Sequence, residues 1–205
     1  NGLWDELTSE QKKKTFFVPT LVMMREDQFE SVYRELRTAD RNFLIREDYL
    51  NFFDLIFGFL HLIRVWFIKP SPQAVLGIDF SPLVREELLS RREFDSALEG
   101  LLNYRFAKGL KKKSIKLSLV INWFENQVID KGWNAGFNKF YPNVISKGYR
   151  GSAPPLLYIC SSSPSEIELS SGVLPSIISV IGNGYIDLTK EFSDNLIVEK
   201  APAFR

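Results

Sequence analysis

The chain has 205 residues, 45% of them hydrophobic and 25% charged, the balance of an ordinary folded protein with room for a sizeable core. A formal net charge of +1 provides no general field for gripping a polyanion, which argues against nucleic acid as a partner. One cysteine, Cys160, excludes an intrachain disulfide, and with one histidine, His61, it argues against a zinc site of the usual ligand types; no metal and no cofactor is expected, and a reducing compartment fits.

Asn1 to Lys14 is polar and lacks the apolar centre of a secretory signal. Phe16–Val22 reads as a strand. A charged helix over Asp27–Arg37 follows, with Phe29, Val32, Tyr33 and Leu36 at helical spacing. A long helix is expected from Arg46 to Phe67. Its section from Tyr49 to Ile68 is apolar enough to raise the question of a membrane span. Against a span, Asn51, Asp54, Gly58, His61 and Arg64 draw a polar stripe along one side, and Asp54 and Arg64 are costly in lipid. A buried or interfacial helix is the better reading, with contact at a membrane surface next. His61 belongs to the stripe as a structural residue.

Pro70-Ser71-Pro72 ends that helix. Ala74–Ile78 is a short apolar run, as in a strand buried on both faces, and it ends in Asp79. Ser81 and Pro82 cap and open a helix through Leu89, and another covers Glu93–Leu110. Lys111, Lys112 and Lys113 suit the end of that helix, where cations complement its dipole. Strands are expected over Ile115–Ile121, continuing to Phe124, and over Val144–Lys147, with a helix over 126–140 between them. Beyond Gly148 the composition shifts to Ser, Pro and Gly. Tyr158–Cys160 reads as a short strand, and Ser163-Pro164-Ser165-Glu166 as a capping box opening a helix. Ile177–Ile181 and Leu196–Val198 complete the strands. This alternation predicts an α/β fold, a Rossmann-like, doubly wound, mostly parallel sheet flanked by helices. Residues 1–195 would form that domain, and 196–205 its last strand and the start of a crossover.

Open α/β sheets bind ligands beyond the carboxyl ends of their strands. Three polar groups are expected there: Asp79, Glu125 and Tyr149-Arg150-Gly151. Glu125-Asn126-Gln127 is the densest, followed by Asp130-Lys131-Gly132 at the opening of a helix. A carboxylate in such a place can take a proton from an attacking hydroxyl. Amides beside it donate and accept at once, which suits hydroxyl ligands. Glu125 is therefore the first candidate base and Asp79 the second. Asn126, Gln127, Asp130, Lys131, Tyr149 and Arg150 are candidates for holding the ligand, with Lys131 and Arg150 able to neutralise a phosphate. Trp123 and Trp133 suit either a sugar face or the core. The competing reading makes Asp79 and Glu125 helix caps, or partners of arginines such as Arg85 and Arg105. Gly182-Asn183-Gly184 lacks the third glycine of a dinucleotide loop, Asp187 standing in its place, and reads as a tight turn. No phosphate-loop lysine, zinc-hydrolase or nucleophile-elbow motif is present.

The run Asn122-Trp123-Phe124-Glu125-Asn126-Gln127-Val128-Ile129-Asp130-Lys131-Gly132 resembles a motif of bacterial surface-carbohydrate biosynthesis proteins, glycosyltransferases of the two-Rossmann-domain GT-B kind. Asn42–Leu50, Leu76–Asp79, Leu101–Phe106, Tyr141-Pro142, Gly148–Gly151 and Ala201–Arg205 agree with the same pattern. The resemblance implies the amino-terminal half of a GT-B architecture, which holds the acceptor, a sugar or lipid-linked glycan. A second domain would bind the nucleotide-sugar donor, and transfer would need no obligatory metal. Related patterns carry Gln, or a nearby His, where Arg150 stands, so ligand chemistry at that position departs from the family. The chain starts without Met and reads as an excerpt, expected to be inactive alone, cytoplasmic and peripheral to the inner membrane. The alternative is a non-catalytic α/β binding or scaffolding domain of a polysaccharide assembly complex. It would dock through residues 49–67 on a partner or on the membrane surface.

Overall fold

The stretch that reads as one long helix over Arg46–Phe67 is divided at Asn51. The Asn51 side chain accepts from the N–H groups of Phe53 and Asp54 at 2.9 and 3.2 Å, and Asp54 Oδ2 accepts the Asn51 N–H at 2.9 Å. This reciprocal cap starts a new helix. A separate 3-10 turn over Arg46–Tyr49 precedes it, and there the chain divides into two compact units, Asn1–Tyr49 and Leu50–Arg205. A computed structural model of the protein describes residues 2–21, 24–70, 74–75, 77–90, 94–151 and 163–203.

In the first unit, α1 (Gly2–Asp5) and α2 (Ser9–Lys14) precede α3 (Phe29–Thr38), and Thr8 caps α2 in a box with Gln11. The strand expected at Phe16–Val22 reduces to one parallel bridge between Phe17 and Phe43, with Trp4 and Phe43 packed on the Phe17 ring. Pro19 has no N–H to carry a ladder further. Val22 lies outside the described residues.

The second unit begins with α4 (Phe52–Phe59), α5 (His61–Arg64) and a 3-10 turn at Val65–Phe67. The apolar run ending in Asp79 is not a strand of the main sheet. Gly77, at φ 80°, turns the chain, so β1 (Ala74–Val75) and β2 (Ile78–Asp79) pair antiparallel as a separate hairpin with Ile78 exposed. Next come α6 (Ser81–Leu89) and α7 (Phe94–Lys112), then β3 (Leu119–Trp123), α8 (Val128–Phe140) and β4 (Ile145–Arg150). The chain continues through α9 (Glu166–Ser170), β5 (Ile177–Ile181), α10 (Ile186–Thr189) and β6 (Val198–Ala201). The strand expected at Tyr158–Cys160 falls outside the described residues. The helix expected from Ser163 starts two residues later, because Ser165 and Glu168 close its capping box rather than Ser163 and Glu166.

The fold is α/β: a four-stranded, all-parallel sheet in the order β3-β4-β5-β6, flanked by helices. The order follows the chain without a reversal, so no topological switch point lies within these four strands. Right-handed crossovers then carry the connecting helices to one face. On that face Phe124, Ile178 and Val180 pack with Leu174 and Leu196, and Leu169 of α9 and Ile186 of α10 lie against them. The opposite face leaves Leu119, Ile121, Trp123 and Ile145 exposed. Helices α7 and α8 press together at Gly100 and Gly132, where a Cβ on Gly132 would run into the Gly100 backbone. The rings of Phe106, Trp133, Phe137 and Tyr141 pack in series along this contact, so Trp133 belongs to the packing of the core. Among the described residues no helix is long and apolar enough to cross a membrane.

Candidate functional site

Strand β3 ends in the loop from Phe124 to Gln127 that feeds α8. Phe124 is fully buried and its N–H bonds Tyr149 O at 2.9 Å, which anchors the loop against β4. Asn126 takes a left-handed conformation, φ 61°, a region asparagine tolerates better than most residues. Asp130 then ties the loop down. Its Oδ2 accepts the N–H groups of Glu125 and Gln127 at 2.9 and 3.1 Å, completing a capping box in which Gln127 is the N-cap of α8. Burial pushes the Asp130 carboxyl above the usual aspartate range, although these N–H donors pull it down. Asp130 is therefore a structural carboxylate that shapes the Glu125 loop.

Glu125 is half-buried at the carboxyl-terminal edge of the sheet. Its Oε1 accepts Trp123 Nε1–H at 2.8 Å and its Oε2 accepts Gln127 Nε2–H at 2.9 Å. Each carboxylate oxygen is thus steered by one neutral donor and keeps a lone pair for a further hydrogen. The Trp123 ring is 54% exposed and meets Tyr149 edge-on at 5.6 Å. Tyr149 is buried, and its hydroxyl donates to Pro202 O at 2.8 Å. Arg150, the last residue of β4, is buried; burial lowers its guanidinium pKa and the Glu125 charge opposes that shift. Gln127 and Trp123 bond Glu125, Tyr149 meets the Trp123 ring, and Arg150 lies within reach of the Glu125 charge; the Trp123 ring stands more than half in solvent rather than in the core.

Other expected residues are placed differently. Lys131 Nζ lies 2.7 Å from Glu168 Oε1, and Asn126 Nδ2 lies 3.4 Å from Glu168 Oε2. Glu168 also accepts Ser165 N–H at 2.8 Å as the cap of α9, so Lys131 and Asn126 brace α8 and the 124–127 loop against α9. Burial raises the Glu168 carboxyl, but the Lys131 and Ser165 donors outweigh it and leave the group below its ordinary value. Asp79 sits on the separate hairpin, fully exposed; the Ser81 side chain and then the Ser81 N–H, 2.9 Å from Asp79 Oδ1 at the start of α6, lower its pKa. It does not follow a strand of the parallel sheet, so the shared rim expected for Asp79 and Glu125 is not formed by strand ends.

A second polar strip escaped the sequence reading. On the face that carries Trp123 and Tyr149, Glu199 Oε1 receives Lys147 Nζ and Ser179 Oγ, each at 2.7 Å. These donors hold the Glu199 carboxyl below the usual range. The register Trp123↔Tyr149↔Ser179↔Glu199 puts the aromatic and polar groups in one row across the sheet. Its signal in the sequence is weak, because Lys147, Ser179 and Glu199 stand on three separate strands and only the strand register brings them into line. In the first unit, an open groove of about 590 Å³ is lined by Phe29, Glu30, Tyr33, Arg34, Arg37 and Glu47. Its Arg34–Glu30 pair, at 2.6 Å, is largely self-neutralised and exposed.

Among the described residues no cluster of His, Cys, Asp and Glu could hold a metal ion. The chemistry available at the sheet edge is an oriented carboxylate, an exposed indole beside it, an amide, and a buried cation. No family model, no curated protein and no solved structure matches the chain.

Proposed function

We propose that the chain is the acceptor-binding, Rossmann-like domain of a GT-B-type glycosyltransferase acting in cell-surface polysaccharide biosynthesis, with Glu125 as general base. The observation that carries the reading is the Trp123–Glu125–Gln127 arrangement. An exposed indole can cover the C–H face of a sugar ring, while the carboxylate hydrogen-bonded to it accepts a hydroxyl proton from that same ring. In the reaction, the acceptor oxygen attacks the anomeric carbon of a nucleotide-sugar as Glu125 takes its proton. The sugar–phosphate bond breaks and the nucleoside diphosphate leaves with the electron pair, held by a second domain. Gln127 positions a neighbouring hydroxyl, and buried Arg150 supplies a positive charge that interacts with the carboxylate. The sugar class draws its support from the resemblance of residues 122–132, and the sheet-edge location from the position of Glu125 just past the carboxyl end of β3.

The test uses the full-length protein with saccharide acceptors and nucleotide-sugar donors. Glu125→Gln should retain saccharide binding and lose transfer by a factor of about a hundred or more, the usual contribution of a positioned base. Trp123→Ala should lose binding itself. Transfer by Glu125→Gln at the parental rate would remove Glu125 from the mechanism. A protein that binds saccharide but transfers nothing in any combination would favour the non-catalytic binding domain instead.

A further inference from the structure

The segment from α4 to the Val65–Phe67 turn is oriented with its polar stripe inward and its aromatic side outward. Asp54 is buried and paired with Arg105 of α7, and Asn51 and Asp54 are spent on each other's N–H groups. Gly58 faces α7 so closely that a Cβ would come 2.5 Å from Leu98 Cδ1, so the contact side of α4 is small and polar. Phe52, Phe53, Phe59, Ile63, Trp66 and Phe67 are all more than half exposed, Phe53 and Phe67 at 74% and 78%. In water this orientation is the costly one. It hides a carboxylate and displays the side chains that gain most from leaving water.

We propose that this face is an interfacial membrane-binding segment that lies flat on a phospholipid surface enriched in anionic lipid. Charge and chemistry select that occupant. Between Leu50 and Pro70 the only acidic residue is the buried Asp54, while Arg64 and exposed Lys69 stand beside the aromatic side chains. The Arg64 guanidinium folds back, donating to Phe57 O at 2.7 Å and lying 4.5 Å over the Phe57 ring. Phenylalanine and tryptophan with flanking Lys and Arg are the composition of helices that sit at the headgroup boundary. The helical pieces from Phe52 to Phe67 follow one another for roughly 24 Å, a length suited to lying in the interface rather than crossing it. This inference is independent of the role given to Glu125.

Flotation of the full-length protein with vesicles of phosphatidylcholine, with and without phosphatidylglycerol, tests it. The protein should float, more strongly when phosphatidylglycerol is present. Phe53→Ser, Trp66→Ser and Phe67→Ser together should lower the bound fraction by about a hundredfold. All three side chains are exposed, so the variant should keep its far-ultraviolet dichroism. Lys69→Gln should weaken binding to the anionic vesicles by about fivefold and leave the neutral ones unaffected. Absence of flotation, flotation unchanged by the triple substitution, or self-association abolished by the same substitutions without lipid binding would each overturn the proposal. The last result would assign the face to a second copy.

Discussion

Removing the Arg105 side chain isolates the buried ion pair between α4 and α7. The Asp54 side chain is 5% exposed and that of Arg105 17%, so neither charge has much access to water. At an effective dielectric of about 20, two unit charges in contact attract by about 4 kcal/mol. Arg105→Ala forfeits that attraction and leaves the carboxylate to the Asn51 N–H, 2.9 Å from Oδ2. It also removes the guanidinium 4.8 Å from the Phe57 ring, worth about 0.5–1 kcal/mol at a partly exposed site. Truncating one partner of a buried pair costs about 3–5 kcal/mol, and this site belongs in that range. Asp54→Asn with Arg105→Gln replaces both charges by neutral hydrogen-bonding groups of similar size and should recover all but about 1–2 kcal/mol. Urea unfolding followed by fluorescence and dichroism gives both numbers. A cost below about 1 kcal/mol for Arg105→Ala, or a double variant no better than the single one, would refute the view that this pair governs the packing of α4 on α7.

Gly132→Ala should lower stability by about 1–3 kcal/mol, because the new Cβ meets the Gly100 backbone and overpacking outweighs the gain of about 1 kcal/mol in helix propensity; a thermal melt checks it, and a variant as stable as the parent would mean the helices separate freely. Trp123→Ala should change the unfolding midpoint little, since more than half of the residue is already in solvent, yet abolish saccharide binding measured by calorimetry. Lys131→Ala tests the acid limb. Glu168 has a folded pKa below its unfolded value of about 4.3, so its contribution is present above that value and is lost as pH falls through the folded one. The stability gap between parent and Lys131→Ala should therefore be widest near neutrality and close in strong acid; a gap that persists there would show that Lys131 acts through packing rather than charge.

Strands β3 and β5 were legible because they are largely apolar runs set apart by strong helix signals: the pattern over 119–124, 126–140 and 177–181 maps onto β3, α8 and β5, although the strand expected from Ile115 begins only at Leu119. The helix over 46–67 was overextended for a definite reason. Asn51 and Asp54 fit a polar stripe running along one continuous helix, whereas their spacing of three is that of a reciprocal cap. Periodicity reports which residues share a side of a helix. It does not report which side is buried, and here the buried side is the polar one. The hairpin at Ala74–Asp79 escaped because the run looks continuous until Gly77 is given a positive φ. At the sheet edge, the sequence pointed to Glu125 and Arg150. It could not distinguish Asp130, Lys131 and Asn126 as bracing residues, because their partner Glu168 is distant in sequence.

Helix α7 connects the two surfaces to which roles are assigned. Arg105 holds Asp54, and with it the outward aromatic side of α4. Gly100, roughly 7–8 Å along the same helix, admits the first turns of α8, where a Cβ on Gly100 would come 2.9 Å from Val128 O. That first turn contains Asp130, whose carboxyl fixes the Glu125 and Gln127 N–H groups. The lipid-facing segment and the carboxylate loop are therefore both referenced to one long helix rather than to flexible connections, which is how a site keeps its geometry under load. If the acceptor is carried on a lipid, a rigid α7 gives the Trp123–Glu125 edge a constant orientation to the surface from which that acceptor arrives. A soluble acceptor would need no such coupling. The two cases separate experimentally, because the triple substitution in α4 and the 3-10 turn should then impair transfer to a lipid-linked acceptor while leaving transfer to its water-soluble fragment unchanged.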